Sequence, residues 1–332
     1  MHTIRAAAAA ALVLSFACSS QGPTGPDLST PGPLKAAAAQ RPLDEPVGLS
    51  TAGYTQDPYL AHPFPADEPG SAFSDIFPAT RGVQTQPMAK AIAFDNGKTQ
   101  LVLARIDAVF VTAVLTERVL AILKEQGHGD LHGKLILDST HTHAAGCRFS
   151  RESLKAAALA SEPAAAQHAL AHGADTFSQE ITDRIAASIA AAVGDALSNL
   201  APARIGTAAT EDPDAAHDRR CENDWITGGP DQQTRLTTIR VEKQDGTPIA
   251  ALFHYAMHGT INGGNNRMLS IDAPGHAELG VEKTFTQPVV AMYLQGSAGD
   301  ASPNGAGDSG TQAMQHIGVE LGTRVAALWA EA

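Results

Sequence analysis

KLILDSTHTHAAG, residues 134–146, is the stretch on which the reading of this chain turns. An apolar run, Leu135, Ile136 and Leu137, stops at Asp138, and His141 and His143 follow two residues apart. In extended backbone, side chains at i and i+2 project to the same side. Both imidazoles then converge just beyond a strand end, where open α/β sheets place their ligands. Neutral imidazole is the commonest metal ligand and the usual acid–base group near neutral pH. A polar loop with two solvated histidines has the same local sequence, so the choice rests on the remainder of the chain.

Upstream, residues 90–111 read as two strands joined by the Asp95-Asn96-Gly97 turn, because Asn-Gly favours the positive φ of tight hairpins. Residues 115–129 carry apolar side chains at helical spacing and stop at Gly127. With KLILDST as the next strand, the β-α-β order favours a parallel pair. Residues 151–173 are Ala-rich and compatible with a helix. The Thr-x-x-Gln spacing from Thr176 suits a capping box that opens a helix through residues 180–200. Residues 235–258 read as two strands around Asp245-Gly246, the second ending at His258. Residues 289–310 are a buried strand that opens into a Gly-rich loop, and residues 311–332 an amphipathic helix. The fold class is therefore α/β, a mixed β-sheet core flanked by helices.

The N-terminus has one basic residue, an apolar run from Ala6 to Ala17, then Cys18. That run is short for a membrane span but has the length of a signal-peptide core. Residues 1–18 are expected to direct export. Cys18 resembles the lipidation site of a bacterial lipoprotein, although Ser15 stands where a leucine is usual; plain cleavage near Ala17 is the alternative. The expected location is an outer-membrane or cell-surface lipoprotein, the periplasm or the medium. Residues 19–45, rich in Pro, Gly, Ser and Ala, read as a flexible linker, and residues 46–332 as one domain. A formal charge of −12 argues against a nucleic-acid partner. Cys147 and Cys221 are compatible with a disulfide or with two free thiols.

The layout of strand followed by reactive loop occurs three times. The first ends in His141 and His143, the second in Tyr255–Thr260 with His258, and the third in Gly299–Asn304 with Ser302. As neighbours in one sheet, such strands would bring their loops together. Two histidines from separate strands, with oxygen ligands, match a catalytic zinc site with a position left for water. Ser302 could present its hydroxyl, and the backbone around Gly299 could supply N–H donors. Each piece alone also has a structural explanation: a core histidine for His258, a turn for the Gly-rich loop. The GxSxG nucleophile elbow and the HExxH zinc pattern are absent.

VGLSTAGYTQ, STHTHAAG, DAAHDRR, HYAMHGTINGGNNRMLSIDAPGHA and GSAGDASPN, in this order, resemble the N-terminal catalytic domain of the neutral/alkaline non-lysosomal ceramidases. The resemblance implies hydrolysis of the amide bond of ceramide to a sphingoid base and a fatty acid, with one Zn2+ ion. It makes His141 and His258 zinc ligands, and His143 a histidine beside the substrate. Arg220 becomes the active-site arginine, with Arg219 the alternative in register, and Ser302 the active-site serine. A lipid or other N-acyl small molecule is the implied partner, with membrane contact through the substrate or a lipid anchor.

The family's remaining zinc ligands, a glutamate and a tyrosine, lie beyond the serine motif, and its C-terminal immunoglobulin-like domain has no counterpart in these residues. Asp107, Asp138, Asp272 and Asp300 are the nearest oxygen donors in the chain. The expectation is thus a zinc amidohydrolase. The alternatives are a hydrolase of another amide or ester, and an inactive or truncated relative that serves as an exported binding protein.

Overall fold

The computed structural model describes residues 32–54, 71–74, 77–150, 175–212, 214–219 and 235–332. The Ala-rich residues 151–173, Arg220, Cys18 and Cys221 lie outside the described residues.

One eight-stranded sheet organises the chain. From edge to edge it runs β11 (Val290–Gln295), β9 (Pro248–Tyr255), β8 (Arg235–Lys243), β6 (Ala201–Glu211), β1 (Lys35–Pro42), β3 (Met88–Asp95), β4 (Gln100–Ile106) and β5 (Leu135–Ser139). The hairpin β3–β4 closes as its Asp-Asn-Gly signal requires, with Gly97 at φ 81. The parallel pair β4–β5 is joined by helix α1 (Ala113–Glu125), and β9 pairs in parallel with β11. Two ribbons complete the set: β2 (Gly82–Val83) with β10 (Met268–Leu269), and β7 (Ala216–Asp218) with β12 (Ala301–Pro303).

The sheet is buried on both faces. On β3, Ala89, Ala91 and Ala93 face the helical side, with α1 and α2 (Gln179–Ser198), while Ile92 and Phe94 face inward. On β9 and β11, Phe253, Tyr255 and Tyr293 pack toward α3 (Asp272–Thr284) and α4 (Gly310–Glu331). The opposite faces of the two half-sheets share a third cluster, in which Ile92 and Leu103 meet Val241, Leu252 and Met292. The result is helices, half-sheet, half-sheet, helices. The fold-over falls at β1–β6, paired only at Lys35↔Pro202 and Ala36↔Ala201.

Two expectations need correction. Residues 35–42 are not part of a linker; they form β1, paired along its whole length with β3. Composition misled here because alanine is a weak strand former. In this position its small side chain lets both faces pack closely, with Ala36 fully buried between the half-sheets and Ala37 buried on the face opposite it. The helix expected to cap at Thr176 begins after Ser178, whose hydroxyl accepts the Ile181 N–H at 3.4 Å. Thr176 is held instead by the Arg148 guanidinium. Cys147 is a buried free thiol.

At one end of the interior, apolar packing gives way to charge. The Arg105 Nε donates to Glu278 Oε1 at 2.6 Å, and Lys90 Nζ lies 2.9 Å from Glu278 Oε2 and 2.8 Å from Glu282 Oε1. Asp107 lies 3.0 Å from Arg105 Nη1. Burial, reinforced by Arg105 and opposed by Glu282, pushes the Lys90 ammonium down to about 8. Arg105→Met leaves Glu278 and Asp107 undercompensated in the interior. Urea denaturation should show a loss of about 3–5 kcal/mol; a loss below about 1 kcal/mol would show that the lattice adds no stability.

Glu45 is a second buried ionisable group. It accepts the Gly146 N–H through Oε2 at 3.4 Å, while Oε1 has no hydrogen-bond partner among the described residues. Burial pushes its pKa from 4.5 up to about 8, against the Gly146 bond and with help from Asp107. The folded state therefore holds this proton more tightly than the unfolded chain does. Its contribution to stability is present below about pH 4.5 and is lost as pH rises through about 8. Glu45→Gln should flatten this part of the profile, raising Tm relative to wild type above pH 8 and leaving it unchanged near pH 4.

Candidate metal centre

The strands carrying the histidine loops are not neighbours. β5 is one edge of the sheet, while β11, with β9 beside it, forms the other. The fold-over brings the edges together, and the Gln295 N–H points to Asp138 Oδ2 at 3.4 Å across the seam. The expectation of adjacent strands is thus replaced by a meeting of opposite edges.

Beyond the strand ends, the two loops pair directly. Thr142 and Gly259 form a parallel bridge, in which the His143 N–H donates to the Gly259 carbonyl at 2.9 Å. The Gly259 N–H returns to the His141 carbonyl at 3.3 Å. A Cβ on Gly259 would lie 2.6 Å from Thr142 Cα, so only glycine permits this approach. His141 is in left-handed backbone, φ 59. The simple i, i+2 alternation therefore does not operate; a kink at His141 turns its ring to meet His143.

Three imidazoles converge as a result. His141 Nε2 lies 3.0 Å from His258 Nε2 and 3.5 Å from His143 Nε2. His141 Nδ1 donates to the Val109 carbonyl at 2.5 Å, and His258 Nδ1 donates to the Ala298 carbonyl. With both Nδ1 protons committed outward, the two rings turn their Nε2 lone pairs toward each other, that of His258 also facing Arg219 Nη2 at 3.1 Å. Two such lone pairs cannot hydrogen-bond; a cation between them satisfies both. A carbonyl on the far nitrogen is also the usual orientation device for a ligating histidine. The donor set therefore fits a metal ion. Burial is the leading cause that lowers the pKa of His141, and it takes His143 to about 3 with the help of His141, His258 and Arg219. His141 and His143 are therefore neutral near pH 7, the ligating form.

Arg219 is the arginine described at this site. Its Nη2 lies 3.1 Å from the His258 ring nitrogens and 3.1 Å from the Gly299 carbonyl. The Arg219 N–H donates to the Asp300 carbonyl at 2.8 Å. Ser302 sits on β12, one residue from Ala301, whose carbonyl accepts the His258 N–H at 2.9 Å. The Ser302 side chain forms no hydrogen bond to the three rings among the described residues, and its register partner on β7 is His217.

The aspartates do other work. Asp107 accepts from Thr140 Oγ1 at 3.0 Å and from the Met88 N–H at 2.8 Å. Asp272, at φ 50, accepts the N–H groups of Ile261, Asn262 and Ala273 and so moulds the loop after His258. Among the described residues the cluster contains three imidazoles and no carboxylate. Tyr54, unassigned by sequence reasoning, packs its ring 4.9 Å from that of His143. Its position within VGLSTAGYTQ was the only available signal.

The family model for neutral/alkaline non-lysosomal ceramidases, N-terminal, matches residues 71–320. The chain belongs to this family. Neutral ceramidase A of Dictyostelium discoideum is 25% identical over 243 residues, covering 68% of this chain and 32% of that protein. Neutral ceramidase B of the same organism is 24% identical over 242 residues, covering 67% and 31%. The chain thus spans about a third of the length of these curated relatives. Among solved structures, a ceramidase described as complexed with C2 superposes with a TM-score of 0.70 at 18% identity, over 90% of this chain and 44% of that one. The neutral ceramidase of Pseudomonas aeruginosa gives 0.69 at 18% identity, over 91% and 45%. The ceramidase fold is therefore present across the described part of the chain.

Gly259→Ala tests the loop bridge. The added methyl should separate the His141 and His258 loops, lower stability by about 1–3 kcal/mol, and weaken Zn2+ binding by about 10–100-fold in chelator competition. Unchanged zinc affinity would show that the bridge does not set the spacing of the rings.

Proposed function

We propose that this chain is an exported, zinc-dependent amidohydrolase that cleaves the N-acyl bond of ceramide or a ceramide-like lipid. The observation that carries the reading is the pair of Nε2 atoms of His141 and His258, 3.0 Å apart, with both Nδ1 atoms held by carbonyls. Membership of the ceramidase family supports the amide chemistry and the lipid substrate. The signal-like N-terminus supports export, with Cys18 as a candidate lipid anchor.

His141 and His258 would hold the ion. When bound, zinc supplies a polarised carbonyl and a water acidified toward neutrality. His143 differs from the other two: its Nδ1 lies against the Gly53 backbone and has no partner at strict hydrogen-bond geometry among the described residues. It stands beside the ligand pair as a neutral imidazole, able to take a proton at Nε2 from the attacking water. Arg219 holds a permanent positive charge beside His258, suited to the oxyanion that amide attack creates. Ser302, half-buried, would orient the amide.

A second reading, a family member that binds N-acyl lipid without cleaving it, draws on the lack of a carboxylate in the described cluster. One experiment separates the two. Purified protein is assayed for zinc content and for fatty-acid release from a fluorescent ceramide, before and after chelation. The expected result is about one zinc per chain, hydrolysis abolished by chelation and restored by Zn2+, and at least a 100-fold loss in His258→Ala. Protein that lacks zinc and binds ceramide intact would establish the second reading. Hydrolysis that survives full removal of metal would overturn the zinc mechanism.

A further inference from the structure

Each imidazole in the cluster needs something to fix its plane, and the three solve this differently. His141 and His258 have carbonyls on Nδ1. His143 has instead a steric enclosure from the Gly53-Tyr54 dipeptide. Gly53 lies at φ 91, and a Cβ there would fall 2.3 Å from His143 Nδ1. The glycine is therefore required twice, for its backbone conformation and for the space that His143 fills. On the next residue, the Tyr54 ring meets the His143 ring at a centroid distance of 4.9 Å and an interplanar angle of 60°. Edge-to-face contact of this kind is directional, because the electropositive ring edge seeks the π-face.

Tyr54 is in turn fixed. Its hydroxyl donates to the Asn262 carbonyl at 2.5 Å. Asn262 belongs to the loop that Asp272 pins through two backbone N–H bonds, at 3.0 and 2.8 Å. That loop also contains Gly259, whose carbonyl accepts the His143 N–H. The His143 main chain and side chain are thus referenced to the same loop by two routes. One runs through the bridge at Gly259; the other runs through Asn262 and the Tyr54 ring.

We propose that Tyr54 is the positioning residue of His143, its ring packing completing the hold that the Gly53 backbone has on this imidazole. The ring contact that Tyr54 makes with the cluster is to His143. The proposal rests on the reading of His143 as the acid–base group beside the ligand pair.

Two readouts test it, one of them independent of activity. The first is modification of neutral imidazole by diethyl pyrocarbonate, followed residue by residue by mass spectrometry. His143, only 8% exposed in the wild type, should react at least fivefold faster in Tyr54→Ala. His276, equally buried but on α3, should react at its wild-type rate. The second is a double-mutant cycle on ceramide hydrolysis. Tyr54→Ala should lower kcat by about 30- to 100-fold with KM within about threefold. Tyr54→Phe, which keeps the ring and loses the Asn262 tether, should fall between wild type and Tyr54→Ala in both assays. In the background of His143→Ala, replacing Tyr54 should add little. Losses that multiply in the double variant, or unchanged protection of His143 in Tyr54→Ala, would overturn the proposal. A wild type inactive on ceramide in which Tyr54→Ala still exposes His143 would leave the enclosure standing and remove the proposed function instead.

Discussion

The buried pairing of Arg105 with Glu278 is the constraint from which the rest of the structure follows. Arg105 belongs to β4 and Glu278 to α3, which packs beside β11, so this pair joins the two half-sheets across the interior. Hydrophobic contact between the same halves is non-directional and tolerates sliding. A guanidinium facing a carboxylate does not, because its donors have fixed geometry. Glu278 also accepts the Tyr293 N–H at 2.7 Å, tying the carboxylate to a β11 backbone position. Burying these charges is expensive in desolvation, and well-packed apolar residues would often be at least as stable. What the ionic lattice adds is register between two sheet edges that share no ladder.

That register reaches the metal site in two short steps. Arg105 pairs with Asp107, and Asp107 accepts from the Thr140 hydroxyl, one residue before His141. From the other half, the backbone after β9 delivers His258, whose N–H is bound to the Ala301 carbonyl. The loops then close on each other at Gly259. Local strain is concentrated here, with His141 and Asp272 both in left-handed backbone. Non-glycine residues in that region cost about 1–3 kcal/mol each and persist only where surroundings dictate them. For Asp272 the surroundings are its three backbone donors; for His141 they are the Val109 carbonyl and the Gly259 bridge.

The sequence made some of this legible and hid the rest for identifiable reasons. The β3–β4 hairpin and the β4–α1–β5 unit depend on local signals, Asn-Gly and a 3.6-residue period, and both are present as read. The alanines of β1 carry no strand signal; their burial is a tertiary fact, created by α2 and β3. The convergence of His141, His143 and His258 was expected, yet for a different reason from the one that operates. Extended alternation and adjacent strands would suffice in principle, but the chain uses a left-handed kink and a folded sheet. Neither leaves a trace in residue order. The arginine shows the limit of motif alignment: in DAAHDRR two arginines are equivalent by sequence, and the position of Arg219 beside His258 is visible only in three dimensions. Tyr54 was invisible because nothing in a Gly-Tyr dipeptide announces a distant histidine.

The electrostatics of the cluster make its purpose narrower than that of a generic polar pocket. Three imidazoles this close, beside a permanent cation, disfavour protonation of one another, and burial with these neighbours lowers the pKa values of His141 and His143. His141 and His258 each turn Nδ1 to a backbone carbonyl and Nε2 toward the other ring, a donor pair that fits a metal ion. His143 differs in that the Gly53-Tyr54 dipeptide packs against its ring. The same three residues thus divide into a ligand pair and one neighbour, and the division follows from what holds each ring.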